Sequence, residues 1–169
     1  MNAILFPTSV VCLGLGVSVR QIPKMIDRRE VRWVFDLGLH GLDPRSSGIG
    51  RSSRHLRFYA PEIVAKSLGQ PFDATIGPVQ VVEQIVGRWK GCVHGVSLAN
   101  SFLISRAHLL KLCRHGGLRC RIVGHKRWVL VNSLRRFLLS RLVVPRQFAE
   151  QAPPAARGLP RGRKDGCHE

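Results

Sequence analysis

Ser105-Arg106-Ala107-His108-Leu109-Leu110-Lys111-Leu112-Cys113-Arg114-His115-Gly116-Gly117 is the stretch that decides how this chain is read. Leu109, Leu112 and Cys113 recur at i, i+3 and i+4, so one face of a helix packs on a core while Arg106, Ala107, Lys111 and Arg114 stay on the other. Ser105 is placed to cap that helix, and the glycine pair ends it, because glycine takes the left-handed backbone of a C-terminal cap without steric cost. Upstream, Val96-Ser97-Leu98-Ala99-Asn100-Ser101-Phe102 is a short apolar-periodic run that fits a preceding helix. Downstream, two β-prone runs at 118–123 and 127–131 meet across Gly124-His125-Lys126, a hairpin with a basic tip. Asn132-Ser133 then caps a last helix with Leu134, Phe137, Leu138 and Leu142 at helical spacing, leaving Arg135, Arg136 and Arg141 for solvent or phosphate. The order is helix, turn, helix, hairpin, helix, and Leu109, Leu112, Trp128, Leu134 and Phe137 are expected to meet in one cluster.

These residues resemble the excisionase-type and MerR-like winged helix-turn-helix domains. The resemblance rests on Ser105-Arg106-Ala107-His108-Leu109 opening the second helix, on Gly116-Gly117-Leu118 before the hairpin and on Val123-Gly124-His125-Lys126-Arg127-Trp128 across it. It is confined to residues 96–143. It implies a recognition helix entering the major groove of double-stranded DNA through Ser105, Arg106, Ala107, His108, Lys111 and Arg114. His125, Lys126 and Arg127 on the wing would reach phosphates or the minor groove. The role implied is that of an excisionase-like accessory factor or a transcription regulator of a mobile element, acting with a recombinase or RNA polymerase and needing no cofactor, metal or catalytic group. A complete effector-sensing regulator is disfavoured, since no long dimerisation helix or ligand domain follows the wing.

Charge points the same way independently. The chain has 169 residues, 27 Lys and Arg against 10 Asp and Glu, and a formal net charge of +17. Such an excess favours a polyanionic partner, nucleic acid or an anionic membrane surface, and the cations are spread over loops and short helices rather than gathered on one lipid-binding helix. No carboxylate lies between Glu83 and Glu150, an interval that contains the whole module. Arginine-rich composition and solvated charge runs are the plain alternative, but they do not explain why the acids stop at the module's edge.

The rest of the chain divides into residues 1–20, an apolar leader left unassigned; 21–90, a helical region; 91–143, the module; and 144–169, a basic tail without apolar period, expected to be disordered. The apolar run at 5–19 fits a buried strand, a disordered leader or an artefact of start-site choice; it lacks a basic n-region and is too short to span a bilayer. Ile22-Pro23 breaks the chain, Asp27 caps a helix over 28–39 bearing Val31, Val34, Phe35 and Leu39, and 41–53 is an exposed loop. Pro61 and Pro78 suit the first turns of helices over 61–68 and 78–89, the second with Val79, Val82, Ile85, Val86 and Trp89 as an apolar stripe that packs on the module. The fold class expected is mainly α, a helical N-terminal region plus a small winged helix-turn-helix with a two-stranded hairpin.

Five cysteines, without a close pair, give no disulfide framework and fit a reducing cytoplasm, near the nucleoid for a DNA-binding chain. A zinc site from Cys113, His115, Cys120 and His125 matches no common spacing. Phosphate-loop, dinucleotide and hydrolase motifs are missing from the sequence, and its carboxylates show no catalytic spacing, so an enzyme is not expected. Two other classes compete: an RNA-binding or ribosome-associated basic protein stacking bases on Phe58-Tyr59, and a non-catalytic protein–protein adaptor that uses the Val79 to Trp89 stripe.

Overall fold

The computed structural model describes residues 3–39, 53–73, 75–115 and 117–143. Residues 41–52 of the expected loop and the expected tail at 144–169 lie outside the described residues. Strand β1 (Leu5–Pro7) runs into helix α1 (Thr8–Leu15), followed by α2 (Ile22–Asp27), β2 (Val34–Asp36), β3 (Leu56–Tyr59) and α3 (Ala60–Ser67). After α4 (Pro78–Val86) the same succession returns as β4 (Cys92–His94), α5 (Gly95–Ser101), α6 (Arg106–His115), β5 (Cys120–Val123), β6 (Lys126–Leu130) and α7 (Val131–Ser140). Each half has one antiparallel three-stranded sheet with its last strand in the middle, β1-β3-β2 and β4-β6-β5. The described chain is thus mainly helical, with two small sheets, and it is built as a repeat.

The repeat extends to single hydrogen bonds. Val17 N–H donates to Cys12 at 3.0 Å and Ile104 N–H to Ala99 at 3.0 Å, closing the first helix of each half; Tyr59 donates to Trp33 and Leu130 to Arg119, each at 3.0 Å, at the entry to the hairpin. A left-handed residue follows the first helix in both, Gly16 at φ 64° directly after α1 and Leu103 at φ 49° two residues after α5. Glycine adopts that conformation freely, whereas Leu103 holds it at a cost of about 1–2 kcal/mol. Even a buried polar device recurs: Glu62 accepts the Arg32 and Trp33 N–H groups at 2.8 and 3.0 Å, and Ser133, one residue before Leu134 as Glu62 is before Ile63, accepts the Arg119 N–H at 2.8 Å.

The two halves are locked together. The inner face of the first sheet, with Val34, Leu56 and Phe58, packs on Val11, Ile22, Met25, Ile26 and Ile63 of its own helices. Its outer face, with Leu5, Trp33, Phe35 and Tyr59, joins a second cluster that holds Leu98, Phe102, Leu109, Leu112, Leu134 and Leu138. Arg57, buried on that outer face, donates to the carbonyls of Phe102 and Leu103, each at 2.9 Å, and to those of Arg54 and Leu56 at 3.0 and 2.8 Å. Beyond α7 the chain returns to the edge of β2, where Asp36 N–H donates to Arg141 and Val143 N–H to Val34, both at 2.8 Å.

Several expectations are corrected. The helix expected over 28–39 is instead α2, ending at Asp27, and strand β2: Val31, Val34 and Phe35 fit helical spacing, but the consecutive β-branched and aromatic residues Trp33, Val34 and Phe35 are all buried, on both faces of a sheet, where alternation is lost. Pro23 does not break the chain; it sits in the first turn of α2, where its missing N–H costs nothing. Residues 21–90 are therefore not purely helical, and the apolar leader supplies β1 and α1 of the first half. The hairpin gains a third strand, β4. Trp128 does not join the core: on β6 it is Val129 that points inward, with Trp128 beside His94 on the opposite face at 5.2 Å between rings. Helix α7 starts at Val131 without a side-chain cap, and Ser133, expected as part of that cap, is buried.

Because Leu112 belongs to the cluster that also holds Trp33, Phe35 and Tyr59, the halves share one core. Leu112→Ala should cost about 2–5 kcal/mol and lower the stability of both halves together. Urea unfolding followed by tryptophan fluorescence and by far-UV circular dichroism should give coincident, single transitions for parent and variant; separate transitions would mean that the halves fold independently.

Candidate nucleic-acid interface

Helix α6 is held by its apolar stripe, with Leu109 and Leu112 buried and Cys113 half-buried against the shared core. Ser105 accepts the His108 N–H at 3.1 Å, the bond expected of an N-terminal cap. Gly117, at φ 85°, redirects the chain after the helix. Arg106, Ala107, Lys111 and Arg114 are exposed, as the sequence spacing predicts. The N-terminal end of α5 passes close to β6 at Gly95, where an added Cβ would lie 3.3 Å from the Arg127 carbonyl and 3.4 Å from the Leu109 side chain, so a side chain there would need the β6 backbone to give by a few tenths of an ångström.

The hairpin turns at Gly124-His125. Gly124 alone of the pair is left-handed, at φ 59°, the pattern of a type II′ turn. His125 and Lys126 are exposed at its tip, while Arg127 is half-buried with Nη1 3.5 Å from the Cys120 sulfur. Burial and the neighbouring Cys120 push the Cys113 thiol up to about 12. Among the described residues no three His, Cys, Asp or Glu side chains are grouped to hold a metal ion.

Other expected contacts are taken by the fold. The His108 ring lies 2.7 Å from the Leu37 carbonyl and stacks on His55 with centroids 4.9 Å apart, which removes it from the solvent-facing set. Arg135 forms a two-pronged pair with Glu83 on α4, one prong at 3.0 Å to Oε2, and this holds the Glu83 carboxyl below its ordinary range. Arg141 is buried, donates to the Leu39 carbonyl at 3.2 Å and lies over the Phe137 ring. Of the three arginines near α7 left for solvent or phosphate, Arg136 remains exposed. Phe58 and Tyr59 cannot stack bases, since both are buried in β3. The α4 stripe is likewise spent: Val82, Ile85 and Val86 are buried against the core, Trp89 meets Phe102 edge-on at 6.4 Å, and Val79 points away, 58% exposed.

The sequence reading missed a row across the outer face of the second sheet. The strand register places His94 opposite Trp128 and Trp128 opposite Arg121. Alternation along each β-strand could have found it, had β4 been recognised. Comparison with protein-family models, with curated proteins and with solved structures finds no match for this chain.

Acid should loosen the joint at His55. Burial is the main force holding its pKa below 6.5, followed by His108, with Arg57 and Arg54 acting the same way against an opposing pull from Asp36. A histidine whose folded value is depressed contributes fully above its unfolded pKa and loses that contribution as pH falls through the lowered value. The melting temperature should therefore drop between about pH 7.5 and pH 5.5 more for the parent than for His55→Gln, which cannot gain the charge; equal drops would discard the account.

Proposed function

We propose that the chain binds double-stranded DNA through a winged helix-turn-helix formed by residues 92–140, with α6 as the recognition helix and the β5–β6 hairpin as its wing. One observation carries the reading: Arg106, Lys111, Arg114 and Lys126 are exposed on the helix that follows the turn and on the hairpin tip, in a stretch of sequence without a single carboxylate. Cations without local neutralisation attract phosphate, and release of the DNA's condensed counterions supplies the affinity. Arg106, at the start of α6, is the base reader, while Ser105, Ala107, Lys111 and Arg114 line the same approach and His125, Lys126 and Arg127 position the wing. The order of helices and hairpin and the Ser105 cap support this arrangement, and no step of it requires catalysis. An excisionase-like or transcription-regulatory role, with a recombinase or RNA polymerase as protein partner, follows from the resemblance of residues 96–143.

The His94-Trp128-Arg121 row favours a second reading, stacking of single-stranded bases on the open sheet face. Fluorescence anisotropy with duplex DNA, duplex RNA and single strands in competition separates the two. Duplex DNA should compete best, Arg106→Ala should weaken binding by about 1–3 kcal/mol and relax sequence preference, and Lys126→Ala should lower the salt slope by about one without changing preference. Preferential binding of single strands, abolished by Trp128→Ala, would decide for the second reading.

A further inference from the structure

The first half repeats the helix pair that carries the proposed recognition helix. Matched hydrogen bonds fix the correspondence on either side of the second helix: Val17 to Cys12 and Ile104 to Ala99 before it, Val31 to Met25 and Leu118 to Leu112 after it, all four at one constant separation between the halves. Ile22 and Met25 are buried where Leu109 and Leu112 are buried. By the same separation Val19, Arg20, Gln21 and Lys24 stand where the second half has Arg106, Ala107, His108 and Lys111, and all four are exposed.

This surface is less obstructed than its counterpart. His108 is engaged by Leu37 and His55, whereas Gln21 in the same place is exposed, its Oε1 accepting the Ser18 N–H at 2.7 Å. Among the described residues no carboxylate pairs with Arg20 or Lys24. Of the nearby acids, Glu30 faces Arg28 at 3.8 Å and Glu62 is buried on the Arg32 and Trp33 N–H groups, while Asp27 ends α2 three residues beyond Lys24. The side-chain types suit base edges and backbone: arginine for guanine, glutamine for adenine, valine against a thymine methyl, lysine for phosphate.

We infer that Val19, Arg20, Gln21 and Lys24 form a second duplex-DNA contact, so that one chain reads a bipartite site. The inference rests on the proposed DNA binding of the second half. Arg57, the pairing of Leu142 with Phe35 and the shared core fix the two contacts relative to one another, so the two parts of the site have a set spacing.

The test uses the full chain, a duplex selected from a random-sequence library by the parent protein, hydroxyl-radical footprinting and salt titration. The parent should protect two patches. Arg20→Ala/Lys24→Ala should keep the parental melting temperature, lose one patch, bind at least about tenfold more weakly and lower the salt slope by about two, with Lys24→Arg near the parent. Arg106→Ala/Lys111→Ala should lose the other patch. If only that second variant is impaired, while Arg20→Ala/Lys24→Ala keeps the parental footprint, affinity and slope, the second contact is overturned and the proposed function stands. If the parent selects no duplex, or neither variant is impaired, both readings fall.

Discussion

The guanidinium of Arg57 is the contact on which the association of the two halves depends. It projects from the middle strand of the first sheet and donates to four carbonyls, two of them, on Phe102 and Leu103, just past the end of α5. The last carbonyls of a helix lack intrahelical donors and carry the negative end of its dipole, so a buried cation there satisfies groups that would otherwise lie unpaired in a dry interface. Burial lowers the arginine's pKa, yet a guanidinium stays charged at any physiological pH. Lysine could not replace it, because a point charge on a flexible stem does not span four acceptors in one plane. The strained Leu103 backbone persists in this setting, held by its bond to Arg57 and by the packing of Phe102.

Unequal use of one repeated arrangement explains much of the rest. In the first half the row Pro7-Arg57-Phe35 crosses the outer face of the sheet and is covered by the second half; in the second half the corresponding row His94-Trp128-Arg121 is left open. The residues differ accordingly. Phe35 is fully buried where Arg121 is exposed, and the buried arginine of one row stands where the other has a half-exposed tryptophan. One architecture thus provides a docking face in one copy and a solvent face in the other, and neither use disturbs the inward-facing residues, Phe58 in one and Val129 in the other.

The second half was legible from sequence because its signals are local. Ser105, the glycines after α6 and Gly124 mark the turns, and Leu109 and Leu112 give the helix its face. The first half hid for three physical reasons. Its second helix has six residues, too few for a period to emerge, and carries Pro23. Its strand β2 is buried on both faces, so Trp33-Val34-Phe35 shows no alternation. Its two hairpin strands lie far apart in sequence, with β2 ending at Asp36 and β3 beginning at Leu56, whereas the second half turns over Gly124-His125. The exposed cations of α6 followed from spacing, but the capture of His108, Arg135 and Arg141 did not, because each is held by a partner distant in sequence: Leu37, Glu83 and Leu39.

The return of residues 141–143 to the edge of β2 bears on how the protein emerges from the ribosome. A chain made from its N-terminus usually completes each unit before the next is translated. Here the first sheet has an open edge at β2, and the outer face of that sheet has nothing to cover it, until α5, α6 and the segment after α7 have left the exit tunnel. Trp33, Phe35 and the unpaired edge of β2 stay accessible throughout that interval, a template for wrong strand pairing. Synthesis of this chain is therefore a period of exposure that closes only after Val143 is added.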